Sequence, residues 1–146
     1  MAEELAVRIK KDRVSNAVAA GVTTVNSDVV DTQGFDGCLF TVHFGAIVAG
    51  AVTSIKAQQG TLADGSDMAD LAGTSVAVAD TDDNGLKFVE VKRPRERYLR
   101  CTVLRATQNS TIDSIDAELY GPSLKPTVHA AEVAGETHYN PAEGTP

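Results

Sequence analysis

The chain has 146 residues, with 13 Lys plus Arg against 20 Asp plus Glu and a formal net charge of −7. That length suits one domain. The acid excess argues against a general nucleic-acid binder, which needs cations to displace counterions from phosphate, and against docking on an anionic membrane; no apolar run reaches the roughly 18 residues of a membrane span.

Residues 1–20 carry charge runs, Glu3-Glu4 and Lys10-Lys11-Asp12-Arg13, before an Ala-rich stretch from Ser15 to Gly21. They lack the cationic-then-apolar order of a signal peptide, so synthesis in a reducing compartment is expected. Leu5, Val7 and Ile9 alternate as in a strand, yet Leu5 and Ile9 also share a helical face, and both readings stand. This segment is expected to be an N-terminal arm, with the folded domain over 21–121.

Within that domain Val22 to Val30 supplies one or two strands. From Asp36 to Gly45 the alternation is strict: Cys38, Phe40, Val42 and Phe44 share one face, and Leu39, Thr41 and His43 the other. Val52 to Gln59 alternates more weakly, with Ile55 and Ala57 pointing one way. Gly60 to Gly73 is polar and reads as a loop, with room for a short helical turn around Met68 to Leu71. Thr74 to Ala79 is a short strand and Leu86 to Lys92 another. The Asn84-Gly85 pair between them predicts a hairpin with a type I′ turn. Pro94 blocks continuation of the sheet. Tyr98 to Arg105 places Leu99, Cys101 and Val103 on one face. Asp113 to Tyr120 does the same with Ile115, Ala117 and Leu119, and Gly121-Pro122 ends it. At least six short strands without helical crossovers predict an all-β, antiparallel β-sandwich or barrel. Both cysteines fall on apolar strand faces and are expected to be buried, reduced thiols. Residues 122–146 hold four of the five prolines and nothing that can build a core, so an extended or flexible C-terminal tail is expected.

Several constellations touch chemistry without completing it. Asp80, Asp82, Asn84 and Gly85 match the first half of a calcium loop, but the twelfth position is Val91, with Glu90 one residue early. A polar turn is the better reading, and the acidic loop Asp64, Ser66, Asp67, Asp70 reads the same way. His43, His129 and His138 show no zinc-ligand spacing, so no metal and no cofactor is expected. Cys38, His43 and Asp36 have the residue types of a nucleophilic triad, but Cys38 and His43 lie five apart in one strand and face opposite ways. No G-x-S-x-G and no phosphate-cradling glycine loop is present. The expectation is a protein that is not an enzyme. The one concentrated basic segment is Lys92-Arg93-Pro94-Arg95-Glu96-Arg97-Tyr98-Leu99-Arg100. Arg93, Arg95, Arg97 and Arg100 are the candidate docking residues for an acidic protein partner, because guanidinium forks pair with carboxylates.

Four stretches carry a resemblance: Asp31-Thr-Gln-Gly-Phe-Asp-Gly, Ala51-Val-Thr-Ser-Ile-Lys-Ala-Gln-Gln-Gly, Ala79-Asp-Thr-Asp-Asp-Asn and Arg93-Pro-Arg-Glu-Arg-Tyr-Leu-Arg. Over roughly residues 10–125 the chain resembles small proteins encoded beside the major capsid protein of tailed bacteriophages and prophages. Some of these look like capsid decoration, or cement, proteins with a jelly-roll-like β-sandwich. The resemblance implies a structural virion protein, made in the bacterial cytoplasm, that sits on the capsid surface. There it would bridge adjacent major-capsid subunits and stabilise the shell. It also implies a homo-oligomer, dimer or trimer, on local symmetry axes. Another virion part is the alternative: a head–tail adaptor, a tail protein or a head fibre base. A carbohydrate- or calcium-binding sandwich is a third, against which the scarcity of aromatic residues weighs. The terminal arms and the four arginines are the contact regions this reading predicts.

Overall fold

The computed structural model describes residues 4–146. Glu3 of the first charge run, and the start of the expected arm at Met1 and Ala2, lie outside the described residues. A 3₁₀ turn at Leu5–Val7 precedes eleven strands: β1 Ile9–Ser15, β2 Val18–Gly21, β3 Val25–Asn26, β4 Val30–Asp31, β5 Gly37–Ile47, β6 Val52–Gly60, β7 Ala69–Asp70, β8 Val76–Val78, β9 Leu86–Lys92, β10 Tyr98–Ala106 and β11 Ser110–Tyr120. They form two antiparallel sheets. The first has the order β1-β11-β5-β9, with β2 also on β11. The second has the order β3-β10-β6-β7, with β4 also on β10 and β8 also on β6. Taking β1 with β2, β3 with β4, and β7 with β8 as interrupted strands, the chain threads eight strands through two sheets in jelly-roll order.

The alternation of apolar residues builds the core. Cys38, Phe40 and Val42 of β5 are fully buried, as are Ile55 and Ala57 of β6, Leu99, Cys101 and Val103 of β10, and Ile115 and Leu119 of β11. They form one cluster between the sheets. Deep burial disfavours thiolate and pushes both Cys38 and Cys101 up to about 12. Both are free thiols. Arg105 closes one end of the sandwich on the same inward-facing row. It is 5 % exposed, and its guanidinium donates to the carbonyls of Thr23, Ala19 and Ser110 at 2.8, 2.9 and 2.7 Å.

The structure redraws three boundaries. The expected arm over 1–20 holds β1 and β2, which are members of the first sheet, and Val14 is part of the core at 2 % exposure. Lys10, Lys11, Asp12 and Arg13 hid this strand, since an edge strand tolerates charge on both faces. The turn around Met68 to Leu71 is not helical: Ala69 and Asp70 pair with Gln59 and Gln58. Asn84-Gly85 does not close a hairpin. Asn84 has φ +56° but Gly85 is not left-handed, and the two flanking strands belong to different sheets. The turn carries the chain across the sandwich, which no pattern of local periodicity records.

The C-terminal segment beyond Tyr120 forms no strand, and none of its residues is buried. It is nonetheless held in place. Thr127 N–H donates to Val7 O at 3.0 Å and Ala130 N–H to Lys11 O at 3.1 Å. Lys11 N–H donates to His129 Nδ1 at 2.9 Å and Arg13 N–H to Glu132 Oε1 at 3.2 Å. The partner numbers rise together, so the tail runs parallel to β1 along its outer edge. Between it and the 3₁₀ turn lies an open groove of about 540 Å³, lined by Leu5, Ile9, Val133 and His138 among others.

Candidate functional site

The four candidate arginines sit on the crossing from β9 in the first sheet to β10 in the second, and on β10 itself. Pro94 and the left-handed Arg93 (φ +48°) shape the crossing, and Arg93 N–H donates to Asp36 O at 2.7 Å. The structure divides the four into two pairs. Arg97 is engaged: its Nε and Nη2 donate to Asp31 Oδ1 and Oδ2 at 2.9 and 2.8 Å. This two-pronged contact holds the Asp31 carboxyl below its ordinary range and the guanidinium above its own. The guanidinium also lies 5.2 Å from the centroid of the Tyr98 ring. Arg100 is engaged too, with Nε and Nη2 on Gln58 Oε1 at 2.9 and 2.5 Å. Gln58 in turn donates to Asp70 Oδ1 at 2.7 Å, and Lys56 Nζ meets the other oxygen of Asp70 at 2.8 Å. A polar lattice thus covers the outer face of the second sheet.

Arg93 and Arg95 differ. Both are exposed, and among the described residues neither side chain has a hydrogen bond or ion pair. They stand with exposed Lys92 at the end of the sandwich where the chain changes sheets. An approaching carboxylate would find donors there without first displacing an internal partner. The cluster legible in the sequence is therefore half structural and half available.

The other constellations resolve into structural roles. Asp80 Oδ2 accepts from Gly50 N–H at 2.6 Å, Asp83 Oδ1 from Ile47 N–H at 2.6 Å, and Asp82 Oδ2 from Ala79 N–H at 2.8 Å. Lys87 Nζ lies 2.9 Å from Asp82 Oδ2 and lowers that carboxyl's pKa. These carboxylates tie the 79–85 crossing to the end of β5 and the turn after it. Asp67 caps Thr61 and Leu62 in the same way. No cluster of three or more His, Cys, Asp or Glu suited to a metal occurs among the described residues. Cys38 points into the core, and His43 points outward to Asp116, with Nε2 to Oδ2 at 2.8 Å.

Sequence reasoning missed two features. One is Arg105, whose polar contacts are all carbonyl and hydroxyl oxygens and so leave no charge pattern to read. The other is the docked tail, which is held largely through backbone groups. A scan against family models finds no match, and neither does a search of curated proteins.

Proposed function

We propose that this protein is a structural virion component that binds the outside of a phage capsid, bridges adjacent major-capsid subunits and stabilises the shell. The observation that carries the reading is the pair of unengaged arginines, Arg93 and Arg95, on a stiff crossing of a jelly-roll sandwich; the sequence resemblance supplies the partner. A capsid surface with clustered carboxylates suits those donors. Binding the assembled lattice more tightly than its free subunits shifts the equilibrium toward the intact particle, and many copies gain by avidity.

The test is capsid binding by Arg93→Ala/Arg95→Ala against the native chain, at low and high salt. The double variant should fold normally and bind more weakly, with most of the difference lost at high salt. Binding unchanged at both salt concentrations removes the pair from the interface. Copy number in purified particles, measured against the major capsid protein by mass spectrometry, separates the two virion readings. A ratio near one, or a simple fraction of it, supports decoration. A dozen copies or fewer supports a neck or tail position, and absence from particles ends both.

A further inference from the structure

The sandwich has four sheet edges, and they are not treated alike. The second sheet ends in fragments: β3 and β4 have two residues each on one side, and β7 and β8 have two and three on the other. Such short strands offer a newcomer little to pair with. In the first sheet, the β1 edge is occupied by the tail, and beyond it Ala19 O of β2 is taken by Arg105. The remaining edge is β9, seven residues long, straight in register with β5 from Lys92↔Gly37 to Leu86↔His43. No described segment pairs with its far side. Its outward face carries Phe88 at 62 % and Leu86 at 59 % exposure.

The phase of the ladder shows which backbone groups are open. Phe44 N–H donates to Gly85 O at one end of the β5–β9 ladder, and Arg93 N–H to Asp36 O at the other. Hydrogen-bonded pairs alternate with non-bonded ones. Val89 and Val91 therefore spend their N–H and C=O groups on β5, and Leu86, Phe88 and Glu90 turn theirs outward.

We propose that β9 pairs with β9 of a second copy of this chain, antiparallel about a two-fold axis through Val89, joining the two first sheets into one. The sequence Leu86-Lys87-Phe88-Val89-Glu90-Val91-Lys92 suits that register. Full overlap places Phe88 opposite Glu90, Leu86 opposite Lys92, and Lys87 opposite Val91. No two like charges stand directly opposite, and the residues with outward backbone groups face each other as hydrogen-bonded pairs. The two Phe88 rings become diagonal neighbours across the axis, within reach of one another. Glu90 is drawn away from the axis by Tyr120, whose Oη donates to Glu90 Oε1 at 2.5 Å across Gly37. A two-fold axis makes the contact self-complementary and closed, so the edge is used up in a dimer and does not propagate. The inference holds whether or not the capsid reading does.

The experiment measures the mass of the full chain in solution by sedimentation across the micromolar range, alongside two variants. The native chain is expected to be a dimer. Phe88→Glu, at an exposed position, sets like charges opposite each other at both Glu90 positions and should keep its circular dichroism spectrum and become a monomer. Val89→Cys sits at a non-bonded pair on the axis, where Cα separations match disulfide geometry. Under mild oxidation it should give a covalent dimer, and Leu104→Cys on the other sheet should not. A native monomer or trimer overturns the proposal, including the case in which the edge serves a strand of another protein. So does a dimer that persists in Phe88→Glu, or one that Val89→Cys fails to link.

Discussion

Glycine at position 37 leaves the path by which Tyr120 reaches across β5 to Glu90. A Cβ there would overlap the phenol of Tyr120 and lie 2.9 Å from Val91 O. Gly37→Ala should therefore destabilise by about 1–3 kcal/mol through overpacking, read as a lower urea midpoint; an unchanged midpoint would show that the ring moves aside freely. The phenol is itself pushed well above the ordinary tyrosine range by burial and by the Glu90 carboxylate. The two cysteines make a second prediction. With both thiols pushed up to about 12 and buried, a thiol reagent at neutral pH should label neither until the protein unfolds. Rapid labelling of native protein would contradict the sealed core. The Asp31–Arg97 contact gives a third, with a definite sign. The folded pKa of Asp31 lies below its unfolded value, so its contribution is present above the unfolded pKa and fades as pH falls through the folded one. Both side chains are about half exposed, so solvent screening keeps the effect small. Asp31→Asn should lower stability slightly at neutral pH and leave it unchanged at low pH, so that the acid limb of the stability profile is slightly flatter.

Elements show why some of the architecture is readable from the chain and some is not. β5, β6, β10 and β11 line the core with one face, and their alternation in the sequence marks them within a few residues. β1 is concealed because its edge position permits Lys10-Lys11-Asp12-Arg13. The sheet to which each strand belongs is also concealed: Asn84-Gly85 looks like a hairpin turn, yet it bridges two sheets, and that choice depends on where β5 lies. The arginine cluster was visible, but its division was not. Arg97 finds Asp31 66 positions away and Arg100 finds Gln58 42 positions away. The tail adds an element-scale prediction. Removing residues 124–146 deletes no buried side chain, so the sandwich should fold, and the loss should appear as faster hydrogen exchange at the amides of Lys11 and Arg13. Unchanged protection there would mean that the tail does not occupy the edge in solution. Asp12 tunes the same contact. Burial and the neighbouring Glu132 raise its pKa, so its contribution is full below the unfolded pKa and declines as pH rises through the folded one. Asp12→Asn should make tail docking less sensitive to pH over that range.

The whole molecule is a shell of polar lattices around one apolar layer, with net charge −7 and an accessible pair of arginines at one end. Its surface charge should keep free copies from associating indiscriminately, while edges that are short, covered or closed by symmetry limit sheet-to-sheet growth. The pairing of β1 with β11 reaches further, because the first strand of the sandwich lies against the last, Ile9 opposite Tyr120. On a ribosome β5 and β9 can pair early, but β1 has no partner strand in its sheet until β11 has been made, about a hundred residues downstream. The sandwich should therefore gain its cooperative structure only once β11 has been translated, and products stopped before residue 110 should be degraded rather than accumulate as partial domains.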